Sequence, residues 1–164
     1  MRTPVRTCNI DSDGVRGGDE VTALARLRGG LMAVLAFGLA GSLIELLLLA
    51  HYQEVWQFSP LVLIGAAAIV AAWHQARPGA ATVRALRLVM ILFIVSGIAG
   101  IALHVRGAAQ FQLEIDPSMA RWDLVKKTLR AQSPPALAPG VMMQLGLIGL
   151  AATYRHPAIE GDET

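Results

Sequence analysis

Residues 29–50 read GGLMAVLAFGLAGSLIELLLLA, and from Leu31 to Ala50 the single ionisable side chain is Glu45. The hydrocarbon core of a bilayer is about 30 Å thick and an α-helix rises about 1.5 Å per residue, so about 20 apolar residues are needed to cross it. This stretch has that length. A charge at mid-membrane is costly, which accounts for a run otherwise free of charge.

Three further runs follow the same logic. Ser59 and Pro60 supply an N-cap and a first-turn proline for LVLIGAAAIVAAW, the breakers Pro78 and Gly79 precede ALRLVMILFIVSGIAGIAL, and PPALAPG precedes VMMQLGLIGLAATY. The sequence therefore predicts an all-α integral membrane protein, a four-transmembrane-helix bundle with spans at about 29–50, 60–75, 85–104 and 139–154. Composition agrees: 54% of residues are hydrophobic and 16% charged, against about 25% charged in an ordinary soluble domain.

The flanks divide the chain further. Residues 1–28 mix Gly, Asp, Thr and Arg without a sustained apolar run and are read as a flexible cytoplasmic tail, with a short helix over Asp19 to Arg28 leading into the membrane. The transmembrane domain occupies 29–157, and 158–164 form an acidic C-terminal tail. No cleavable signal peptide is expected, because the apolar run starts only after a long leader and continues for a full span. In the 105–138 loop, QFQLEID alternates Phe111, Leu113 and Ile115 with polar residues, an extended signal. Asp116, Pro117 and Ser118 then read as a helix start. Met119, Trp122, Val125 and Leu129 share one face, so an amphipathic helix on the membrane surface is predicted.

Charge sets the expected orientation. Five arginines precede the first span and Arg77, Arg84 and Arg87 surround the link between the second and third, whereas the link between the first and second has no Lys or Arg. Positive loops face the cytoplasm, so both termini are placed there and 105–138 is extracytoplasmic, despite its five basic residues, which share the loop with Glu114, Asp116 and Asp123. Tyr52, Trp56, Phe58 and Trp122 then fall near the outer interface, and Trp73 and Tyr154 near the inner one. Arginine outnumbers lysine and alanine is abundant, the composition of a GC-rich bacterial genome, which points to a bacterial inner membrane. The pI near 9.1 does not indicate nucleic acid, since the basic residues sit at span ends where lipid headgroups lie. Cys8 has no CxxC or histidine neighbour and is read as an inert thiol.

Chemistry-bearing residues are few. Glu45, about two thirds along the first span, must be paired, hydrated or protonated. With His51, His104 and Glu54 at similar depth it forms a candidate ion or proton site, or a divalent-metal site of imidazole and carboxylate ligands. His51 and His104 as axial haem ligands is the sharper variant, and a hydrogen-bonded interhelical anchor is the plainer reading of Glu45. Gln144 is expected to make an interhelical polar contact. His74 and His156 are assigned to snorkelling or headgroup contact, and Met142 and Met143 to packing. No GxSxG, phosphate loop, HExxH or CxxC is present, so no catalytic residue and no cofactor is assigned.

Small residues recur at four-residue spacing: Gly38 and Ser42, Ala67 and Ala71, Ala68 and Ala72, Ser96 and Gly100, Gly149 and Thr153. Such pairs let helices approach closely in lipid. Two functions are compatible with this inventory. One is an accessory or scaffold subunit of a larger membrane assembly, with other membrane subunits or further copies of itself as partners beside the lipid bilayer. The other is a proton, ion or metal-handling protein organised around Glu45.

Overall fold

A computed structural model describes residues 11–49, 58–130 and 137–160. Its elements are α1 (Asp11–Leu48), α2 (Phe58–Ala76), α3 (Ala80–Ile115), α4 (Arg121–Leu129), α5 (Leu137–Ala152) and α6 (Pro157–Glu160), with no strand among the described residues. Three helices are long and apolar enough to cross a membrane: the Asp19–Leu48 part of α1, α2 and α3. The apolar part of α5, Pro139–Ala152, is shorter.

Several helices run further than the apolar runs alone suggest. The α1 helix begins at Asp11, inside the segment read as a tail, and the short helix expected over Asp19 to Arg28 is continuous with the first span. Once a helix exists, each added residue gains a hydrogen bond without a new nucleation cost, and Val21 to Arg28 contain no breaker. The α3 helix likewise extends to Ile115, so the alternating QFQLEI segment is helical, not extended. Period-two hydrophobicity specifies a strand only where a partner strand can pair; here the preceding helix propagates until Asp116, whose position before Pro117 disfavours helical geometry (φ −140°, ψ 92°). The Ser118 hydroxyl and amide donate to Asp116 Oδ1 at 2.7 and 3.0 Å, which holds that carboxyl below its ordinary value. This turn separates α3 from α4, and α4 itself starts three residues past Ser118. Trp122, Val125 and Leu129 are all exposed on α4, while Thr128 is buried against the bundle.

The apolar helices pack in antiparallel fashion. Main contacts run α3 to α5, α2 to α3 and α1 to α5, with α2 also touching α1 and α4 lying on α3. One end of the bundle, here called basal, carries the starts of α3 and α6 and the ends of α2 and α5; the other is distal. The core comprises Leu35 and Leu39 of α1, Ile64 and Ala67 of α2, Leu86, Met90 and Phe93 of α3, and Met142 and Leu145 of α5. Larger apolar side chains face outward instead: Phe37 is 83% exposed and Ile69 71%. A soluble monomer rarely exposes so continuous an apolar surface, and in lipid it is no burden. These features mark a membrane protein.

Close approach depends on glycine. A Cβ built on Gly146 of α5 meets the Met90 carbonyl oxygen at 2.7 Å, and one on Gly97 of α3 meets the Pro139 carbonyl oxygen at 2.7 Å. Both obstructions are backbone, which cannot swing aside. Gly149 is similarly filled by Met90 and Gly38 by Leu145. Of the small pairs in the sequence, Gly149 and Thr153 point inward together and Ala67 with Ala71 face the bundle, whereas Ala68 and Ala72 are exposed.

Gly146→Val is therefore expected to destabilise the detergent-solubilised protein by about 1–3 kcal/mol, the usual cost of overpacking. Gly41→Val, where nothing lies within 4 Å of the added Cβ, should leave the melting temperature nearly unchanged.

Candidate functional site

His51 and Glu54 lie outside the described residues. Glu45 is exposed on α1, two turns distal to Gly38 on nearly the same stripe, and has no hydrogen-bond or ion-pair partner among the described residues. Since Gly38 faces Leu145 and the helices are antiparallel, Glu45 stands level with the beginning of α5. His104 is exposed on α3, which packs on α2, α5 and α4. No group of three or more His, Cys, Asp or Glu side chains among the described residues can hold a metal ion.

Gln144 sits where Gly146 meets Phe93 and Met143 meets Gly97, midway along the α3–α5 contact. It is exposed. At about 100° per residue it points roughly 140° away from the centre of the buried stripe of Met142, Leu145, Gly146, Gly149, Ala152 and Thr153, together with exposed Leu147 and Ala151. It makes no hydrogen bond among the described residues.

The polar side chains that do converge are at the basal end. The α5 helix stops at Ala152, and Arg155 takes a left-handed conformation (φ 45°) that turns the chain into α6. The last carbonyls of a helix lack intrahelical donors. Here the Thr153 and Tyr154 amides meet carbonyls of the last turn, and two guanidinium groups hold the turn that follows: Arg28 of α1 donates through Nη2 to the carbonyls of Arg155 at 2.8 Å and Tyr154 at 3.3 Å, and Arg87 of α3 donates to the Thr153 carbonyl and, at 3.4 Å, to its Oγ1. Cations at a helix C-terminus also complement its dipole. Thr153 is buried, and its hydroxyl lies 3.2 and 3.0 Å from the carbonyls of Gly149 and Leu150.

Beside them stand two imidazoles. His74, near the end of α2, and His156, just before α6, meet edge to face with ring centroids 5.4 Å apart. His74 Nδ1 lies 3.0 Å from Thr82 Oγ1, which also accepts from the Gly79 amide at 3.2 Å and so closes the start of α3. His156 Nδ1 accepts from the Ala158 amide at 3.2 Å and caps α6, so that nitrogen carries no proton. Partial burial is the main reason the His156 ring resists protonation; His74, Arg28 and Arg87 reinforce it.

This cluster joins α1, α2, α3, α5 and α6. Sequence reading assigned His74 and His156 to snorkelling or headgroup contact and gave no sign that the two rings touch; Trp73 and Tyr154 beside them are exposed. The legible clue was Arg87, a charge inside the apolar start of the third helix, facing a threonine at the end of the fourth.

A base held below its ordinary value is charged more readily in the unfolded chain, so its contribution to stability is complete above pH 6.5, the ordinary imidazole value, and is lost as pH falls below it. Thermal stability in detergent should accordingly decline on acidification below pH 6.5, and His156→Gln should flatten that decline.

Comparison with known proteins gave no matching family model, no similar curated protein and no similar solved structure, so function is argued from the chain's own chemistry.

Proposed function

We propose that this chain is an accessory or scaffold subunit of a larger bacterial inner-membrane assembly, crossing the bilayer four times with α1, α2, α3 and α5 and keeping both termini in the cytoplasm. The observation that carries the reading is Gln144. An amide at mid-membrane facing away from its own bundle has unmet hydrogen-bonding capacity toward lipid, and a neighbouring transmembrane helix is what meets it. Glu45, exposed near the distal end of α1, adds a second polar group without a partner among the described residues. A transporter or membrane enzyme working alone keeps its polar groups in an internal cavity, whereas the interior of this bundle is packed with Leu, Ile, Met and Phe.

The short α5 counts as a span because Arg28 and Arg87 cap its basal end at the level of Trp73 and Tyr154, and because residues preceding Pro139 lengthen it distally. Orientation rests on Arg77, Arg84 and Arg87 about the short α2–α3 link. On this reading α4 lies at the outer surface with Trp122, Val125 and Leu129 in the headgroup layer.

A photo-crosslinking amino acid replacing Leu147, on the Gln144 face, is expected to capture a protein partner in intact cells. The same group replacing Val95, on the opposite, featureless face of α3, should yield lipid adducts only. Adducts equal at both positions, or absent at Leu147, would contradict the subunit reading. In that event Glu45→Gln separates the alternative: loss of cellular activity in a stably inserted protein would support proton, ion or metal handling at Glu45.

A further inference from the structure

We propose that Arg28 and Arg87 form a binding site for a phosphate group at the basal end of α5. Both residues are half-buried along their length, and their guanidinium groups hold consecutive carbonyls, Thr153 by one and Tyr154 and Arg155 by the other. Two cations are thereby held side by side. Among the described residues neither has a carboxylate partner. A helix C-terminus offers about half a negative charge, which leaves most of the paired positive charge unbalanced. That imbalance calls for an anion.

The donors left over suit phosphate. Each arginine has five N–H donors in a planar fork, and the bonds to carbonyls use only some of them. Guanidinium forks match phosphate oxygens in pairs. Exposed Trp73 and Tyr154 flank the cluster, and such aromatics sit at headgroup depth. Basic pockets between membrane helices are recognised sites for anionic headgroups. The phosphate comes either from an anionic phospholipid or from solution. The site rests on the reading of the bundle as membrane-spanning only for the first source.

The test is the melting temperature of the full-length protein in neutral detergent, with added phosphatidylglycerol, with phosphatidylcholine, and with inorganic phosphate alone. Phosphatidylglycerol is expected to raise it by about 4 °C or more, with phosphatidylcholine inert. A rise with inorganic phosphate as well assigns the site to soluble phosphate; a rise confined to phosphatidylglycerol assigns it to lipid. Arg28→Gln should abolish the rise and Arg106→Gln, at the distal end, should retain it. If Arg28→Gln does not fold, native mass spectrometry of the wild type should show phosphatidylglycerol retained in preference to phosphatidylcholine. No shift with any phosphate, a shift that survives Arg28→Gln, or equal retention of both lipids overturns the proposal. So does loss of stability on removing residues 160–164 without any lipid effect, which would give the place to the chain's own acidic tail.

Discussion

The backbone approach between α3 and α5 is the contact on which the rest of the bundle depends. In lipid, apolar side chains gain nothing by leaving their surroundings, so helices stay together through close van der Waals contact and polar links. Gly97 and Gly146 permit that contact because a Cβ at either would strike a main-chain carbonyl of the facing helix. With α5 seated on α3, its glycines and leucines form the surface on which α1 docks, Gly38 against Leu145 and Leu35 beside Gly149. The same seating carries Thr153 to Arg87. A helix as short as α5, with few turns of apolar sequence, holds its place only because it is tied at this end and pressed close along its middle.

Polar groups are distributed unequally as a consequence. At the basal end they are satisfied: carbonyls by arginines, imidazoles by a threonine hydroxyl and a backbone amide. Those links join helices distant in sequence, Arg28 to Arg155 and Arg87 to Thr153, and they fix the bundle's register. Farther along, Gln144 faces outward and Glu45 is exposed near the distal end of α1, neither with a partner among the described residues. On the proposed reading an external helix meets the bare amide of Gln144, and this asymmetry between the two ends is its physical basis.

The apolar runs were legible in the sequence because the bilayer imposes length and charge exclusion on every crossing segment. Helix ends were less so. The starts of α1 and α3 and the end of α3 lie in polar sequence, where only breakers such as Pro117 mark a limit and propagation decides the rest. The helices that carry Glu45 and Gln144 could be read, but direction could not: which side of a helix faces its neighbours depends on which glycines meet, and Gly38 with Ser42 looks no different in sequence from Ala68 with Ala72. The His74–His156 contact was hidden for a related reason. It depends on the left-handed turn at Arg155, which carries His156 back to the end of α2 and has no glycine to announce it.

The most direct measurement of the central claim is the mass of the particle that carries this chain when native membranes are cut into polymer-bounded lipid discs without detergent. A stoichiometric assembly with at least one additional membrane protein, reduced to the 17.4 kDa chain alone by Gln144→Leu, is the expected result. A lone chain in unaltered membranes, with Gln144→Leu making no difference, would contradict the account.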